Sequence, residues 1–198
     1  MGPAASKTPV SSLAFLGNTR LATIYQNVLG QRIERLPPVL REFLSREAGG
    51  SASGRLTVRR DAGWSRHLVA WALGIPPPGD YEMLVQVIPH GAGQRWVRNF
   101  GSHVLTTWQR DWRGILLERK GLASLGFELI VDGDSLLFRA CKAWVLGMRV
   151  PLWLSPCIDA ENRPNASGGW QVRVVFRVPL LGRVAEYQGS VTPIANAG

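Results

Sequence analysis

The chain has 198 residues, 45% of them apolar, a formal net charge of +9 and a sequence pI of about 10.7. That length lets one domain bury a sizeable core, and the apolar share excludes a collagenous or wholly disordered chain. The early apolar stretch Val10 to Leu16 is too short for a bilayer span and is broken by Ser11 and Ser12, so neither stable membrane insertion nor a secretory leader is expected.

Cys141 and Cys157 are the only cysteines, and without a leader they are expected as reduced thiols in a cytoplasmic protein. The arginines are spread along the chain, with only Arg59 and Arg60 adjacent to one another. A charge so dispersed predicts a solvated basic surface and no specific nucleic-acid partner.

Residues 1–18 mix Gly, Pro, Ala and Ser without a period and are expected to form a flexible arm ahead of a single β-rich domain, 19–198. From Thr19, the spacing of Leu21, Ile24, Tyr25, Val28 and Leu29 predicts one helix face, which Gly30 would end. Pro37-Pro38 suits the first turn of a second helix carrying Val39, Leu40, Phe43 and Leu44. Gly49 to Gly54 is expected as a connector.

Beyond it the period becomes two. Arg55 to Arg60 is expected as a short strand, followed by a helix from Trp64 to Leu73 whose stripe is Trp64, Leu68 and Trp71. Strands are then expected at Tyr81 to Ile88, Gln94 to Phe100, His103 to Gln109, Gly114 to Arg119, Phe127 to Val131, Ser135 to Trp144, Trp170 to Val178 and Val184 to Val191. Asp132-Gly133 between two apolar runs predicts a tight hairpin. Pro151 and Pro156 forbid a central strand in the segment from Met148 to Pro156, whose Leu152, Trp153 and Leu154 are expected to cap a barrel mouth, with contact to a membrane or partner as the alternative. Eight or nine strands exceed what a few short helices can cover, so the chain is expected to be mainly β (α+β). An antiparallel barrel or strongly curved sheet follows, lipocalin-like in general shape, with an N-terminal helical segment and one short inserted helix.

No phosphate loop, dinucleotide fingerprint, nucleophile elbow or metal-ligand spacing is present, and His67, His90 and His103 lie far apart. No cofactor and no metal are therefore expected. Chemistry must come from polar residues on faces that otherwise look apolar. Arg98 falls in period two with Trp96 and Phe100, Glu118 shares a face with Leu116, Arg139 with Leu137 and Cys141, and Glu186 with Val184. An inward guanidinium must be paired. Either Arg98 and Arg139 form internal ion pairs with Glu118, Glu186, Asp159 or Glu161 or stack on aromatics at a barrel mouth, or these groups converge on the polar end of a ligand. Eight tryptophans, Trp144 among them, could line such a pocket.

Several spaced segments resemble one family. They are Tyr25 to Gly30, Arg35 to Arg41, Leu73 to Pro77, Trp96-x-Arg98-x-Phe100, Val150 to Leu154, Val178 to Gly182 and Tyr187-x-Gly189. Together they are similar to the bacterial domain-of-unknown-function family 4166 over about 19–191. Leu44 stands where members of that family commonly carry a histidine. The resemblance implies an accessory or ligand-presenting role, with a reductase-type enzyme as a partner.

The leading expectation is the binding of a small apolar molecule by Trp96, Arg98, Phe100, Arg139 and Trp144. The alternative is a cofactor-independent cyclase or isomerase for an apolar polyene or polyketide-like substrate, with Glu118 or Glu186 as acid or base. A structural or interaction domain is the third reading. A carboxylate at the centre of a cavity would favour catalysis, a wholly apolar cavity storage or transport, and a filled core the third reading.

Overall fold

The structure of the chain, a computed structural model, describes residues 22–151 and 153–195, so the expected arm lies outside the described residues. The first helix, α1 (Ile24–Leu29), begins at a capping box: the Thr23 hydroxyl accepts from the Gln26 amide at 3.3 Å, and the Gln26 side chain accepts from the Thr23 amide at 2.7 Å. Gly30 (φ +55°) stops the α-helix as expected, yet the chain continues as a 3₁₀ turn over Gly30–Arg35. Helix α2 (Pro38–Leu44) starts with Pro38 in its first turn, and Leu40, Phe43 and Leu44 are buried.

Eleven antiparallel strands follow. Strand β1 (Gly50–Arg60) leads through helix α3 (Trp64–Ala72) into β2 (Gly79–His90), β3 (Gly93–Phe100), β4 (His103–Trp112), β5 (Ile115–Lys120) and β6 (Ala123–Asp132). The remainder are β7 (Ser135–Val145), β8 (Met148–Val150), β9 (Cys157–Pro164), β10 (Trp170–Val178) and β11 (Gly182–Ile194). Successive strands pair through β6, β6 pairs with β7, β7 with β9, β9 with β10, β10 with β11, and β11 returns to β1. Ten strands therefore close a barrel, and β8 is an extra strand beside β7. Closure leaves the ring itself without an edge.

Three elements differ from the sequence expectation, the first being β8, which forms at the start of the segment expected as a cap and ends before Pro151. Gly50 to Gly54 is strand rather than connector: Gly54 lets β1 lie against β11, and a Cβ there would stand 1.9 Å from the Ser190 carbonyl oxygen. Strand β9 was not anticipated, because Ile158 is the one large apolar residue among its inward positions, Ala160 and Asn162 being small or polar, and its outward Asp159, Glu161 and Arg163 are charged. The Asp132-Gly133 hairpin joins β6 to β7, with Asp132 opposite Ser135.

The up-and-down order separates the two barrel ends. Helices α1 and α2 sit at the end where β1 begins, beside the β2–β3, β4–β5, β6–β7 and β9–β10 turns. Helix α3 and the β3–β4, β5–β6, β7–β8 and β10–β11 turns occupy the other. Ala70 is the buried residue of α3, whereas its Trp64, Leu68 and Trp71 stripe faces outward. Among the described residues no helix is long and apolar enough to cross a membrane.

Candidate functional site

The barrel encloses a cavity of about 550 Å³. Strands β6, β7, β9 and β10 turn an apolar wall toward it, built from residues such as Phe127, Leu136, Phe138, Ile158, Val172 and Val174. Tyr25, Leu40, Phe43 and Leu44 bound it at the α1–α2 end; Ala72, Leu73, Lys120 and Gly121 bound it at the α3 end. Rings meet edge to face around the first of these ends, Tyr25 against Trp96 and Phe138, and Phe43 against Trp96.

The opposite wall, β3 to β5, is polar. Period-two alternation aims Trp96 and Arg98 from β3, Thr107 and Gln109 from β4, and Glu118 and Lys120 from β5 at the cavity. Arg98 Nη1 donates to Glu118 Oε1 at 3.2 Å and to Thr107 Oγ1 at 3.0 Å. Glu118 Oε2 accepts from Gln109 Nε2 at 3.1 Å, and Gln109 Oε1 accepts from the Tyr25 hydroxyl at 2.8 Å. The Arg98 guanidinium also lies 5.0 Å from the Trp96 ring centroid.

This network sets the local electrostatics. Burial opposes the charge on Arg98, but Glu118, Tyr187 and Tyr25 favour it, and the balance raises its pKa above the usual guanidinium range. Burial, reinforced by Glu118, pushes the Tyr25 phenol far above its ordinary value against the opposing pull of Arg98. Burial likewise raises Tyr187, which also lines the cavity. Lys120 contrasts with Arg98: its Nζ donates to the Leu73 carbonyl at 2.5 Å, and burial lowers its pKa. Among the described residues it has no carboxylate partner. The Trp96 Nε1 is buried with no hydrogen-bond partner among those residues.

Of the residues singled out from sequence, Trp96, Arg98 and Glu118 line the cavity. Phe100 points the same way but is wholly buried between Tyr81 and Tyr187, outside the lining. Arg139 is exposed on the outer face, because the inward positions of β7 are Leu136 and Phe138. Trp144 is also outside. A bulge leaves Cys141 without an opposite number on β6, since Phe127 faces Ala140 and Gly126 faces Lys142. The extra residue flips the alternation and sets Trp144 edge to face against Trp112. A second bulge at Val184 does the same for Glu186, which pairs on the outer face with Arg173 at 2.7 Å and Arg183 at 3.2 Å.

Sequence reasoning missed Thr107, Gln109 and Lys120, although each stands two residues from an inward neighbour on its strand. It read Tyr25 as apolar core, when its ring packs there and its hydroxyl joins the network. The two cysteines are free, and Cys141 Sγ lies 3.3 Å from the Gly126 carbonyl.

The family model described as "Domain of unknown function (DUF4166)" matches residues 36–191. No curated protein matches the chain. Among solved structures, the chain is similar to a protein of unknown function from the DUF3598 family of Nostoc punctiforme PCC 73102, at 12% identity and a TM-score of 0.45. That match covers 73% of this chain and 47% of the other, so this chain spans about half the length of that structure. It is also similar to Rv2717c from M. tuberculosis, at 13% identity and a TM-score of 0.43, covering 81% of this chain and 99% of that one.

Proposed function

The chain belongs to the family described as Domain of unknown function (DUF4166), and because that description names no activity, we propose from the cavity itself that the protein binds a small, mostly apolar molecule inside its barrel. The observation that carries this reading is the asymmetry of the lining. An apolar wall faces a polar wall in which Arg98, Thr107, Gln109 and Glu118 are already bonded to one another, with Lys120 alone at the α3 end. A cavity of about 550 Å³ accommodates a molecule of drug or lipid-fragment size. Lys120 suits an acid or carbonyl oxygen at one end of that molecule, since a lysine held only by a backbone carbonyl gains a charge-assisted bond when an anion arrives.

The catalytic reading stands second, on one observation: Glu118 is a carboxylate in the cavity wall. Both of its oxygens already accept bonds, from Arg98 and Gln109, so it orients its neighbours more readily than it abstracts a proton. In that reading the walls fold an apolar substrate and Arg98 polarises its carbonyl.

Native mass spectrometry of freshly purified protein, paired with fluorescence titration by an aromatic sulfonate probe, tests the binding reading. Saturable one-to-one binding, displaced by a long-chain carboxylate, is expected. A protein that takes up neither probe nor carboxylate while remaining folded would overturn it.

A further inference from the structure

The large apolar side chains that the fold leaves in solvent are concentrated at the α3 end. Trp64 and Trp71 of α3 are 81% and 73% exposed. The hairpin tips there carry Leu122 (β5–β6), Leu146 (β7–β8) and Leu180 (β10–β11), the last fully exposed, and the loop leading into β9 carries Trp153 and Leu154. The tips at the opposite end are Gly91-Ala92, Arg113-Gly114, Gly133-Asp134 and Asn165 to Gly168, which are turn residues of the ordinary kind. Two of the exposed leucines, Leu146 (φ +53°) and Leu180 (φ +68°), occupy left-handed backbone positions that favour Gly or Asn. An apolar residue kept there works against both local conformation and solvation.

Positive charge outnumbers negative around these tips, where Asp80, bonded to the Thr57 hydroxyl, is a carboxylate without a cation partner among the described residues. Arg66 donates to the Leu181 and Ala62 carbonyls, Arg119 to the Gly121 carbonyl and Lys120 to the Leu73 carbonyl. With exposed Arg149 they have no carboxylate partner among the described residues. Rings and leucines projecting from a rim of unneutralised cations match one kind of surface, the anionic interface of a lipid bilayer. A second copy of the chain matches it poorly, because a two-fold contact would bring the same cations face to face.

The geometry points to peripheral docking of the α3 end of the barrel on anionic membranes, with the α3 helix and the leucine-bearing hairpin tips entering the headgroup layer. In this docked arrangement the cavity boundary at Leu73, Lys120 and Gly121 faces the lipid. This goes beyond the ligand-binding reading and does not depend on it.

Co-sedimentation of the full chain, with no ligand added, tests the docking. The probes are vesicles of phosphatidylcholine alone and vesicles of phosphatidylcholine and phosphatidylglycerol in equal parts. Binding to the mixed vesicles, weakened by salt, is expected. The Trp64→Gln/Trp71→Gln protein should lose about tenfold in partitioning, as removal of two interfacial rings implies. Leu146→Asn/Leu180→Asn should lose binding severalfold while its melting temperature stays level or rises, a combination that disturbed folding does not give. Folded protein that leaves mixed vesicles in the supernatant would overturn the inference, as would variants that bind like the parent. So would self-association of the parent, abolished in the variants, without vesicle binding. Saturable uptake of the sulfonate probe alongside failed vesicle binding would sink the docking and leave the pocket reading standing.

Discussion

Arg98 reaches Glu118 over 3.2 Å inside the barrel, and the two side chains are only 15% and 18% exposed. The guanidinium therefore has a carboxylate partner before any ligand arrives. Removing one member leaves the other a buried charge held only by neutral partners, Gln109 for Glu118 and Thr107 for Arg98.

Replacing Arg98 with Met should cost about 3 kcal/mol of folding free energy, the scale for breaking a buried pair. Arg98→Met/Glu118→Met should recover most of that loss, because no uncompensated charge remains. Urea melts of the two variants check the order. A single variant as stable as the parent would mean that water already solvates Glu118.

Tyr25 and Tyr187 make stability depend on alkaline pH. Both phenols have pKa values raised by burial in the folded chain. Once pH exceeds the ordinary tyrosine value, the unfolded chain loses protons that the folded chain keeps. Stability is thus intact below about pH 10 and should then fall, by at most about 1.4 kcal/mol per pH unit for each phenol, until that phenol ionises in the folded chain as well. Tyr25→Phe should remove one share of that slope, at a cost near neutrality of about 1 kcal/mol for the lost Gln109 bond. Melts of parent and variant at a series of pH values measure the difference.

Much of this was legible in the sequence because the alternation of Trp96, Arg98 and Phe100, and of Trp170 to Val178, survives intact in the barrel wall. A strand face is a local property, so period two finds it. Three facts are not local. The extra residues at Cys141 and Val184 exist only relative to a partner strand, and they send Trp144 and Glu186 outward against the simple count. The inward side of β7 depends on which of two partly apolar faces the closed ring turns inward, which placed Arg139 in solvent. The outward turn of Trp64, Leu68 and Trp71 is invisible in a helical stripe that looks like any core-facing one.

Close approach of β1 and β11 gives a steric prediction. A Cβ on Gly189 would stand 2.0 Å from the Arg55 carbonyl oxygen, and strand backbone cannot yield as a flexible side chain can. Gly189→Ala should cost about 3 kcal/mol, the upper range for overpacking, and should shift the circular-dichroism melt without changing the folded spectrum. Gly147→Ala, in a turn with nothing within 4 Å, meets no such clash and should lose only the smaller strain of a left-handed alanine.

Lys120 lies two residues beyond Glu118 on the same face of β5, yet it has a carbonyl where Arg98 has a carboxylate. An apolar molecule with a carboxylate at one end would satisfy it, so Lys120→Met should weaken binding of a long-chain carboxylate by about tenfold, the scale of one charge-assisted hydrogen bond. The corresponding alcohol should bind parent and variant alike. Burial already lowers the Lys120 pKa, so part of its charge is lost as pH rises toward the ordinary lysine value, and carboxylate affinity in the parent should fall in the same direction. The variant's affinity should be flat over that range. Competition titrations of carboxylate and alcohol against the sulfonate probe, repeated across that pH range, separate the outcomes. Equal losses for acid and alcohol would show Lys120 to be a wall of the cavity rather than an anchor for charge.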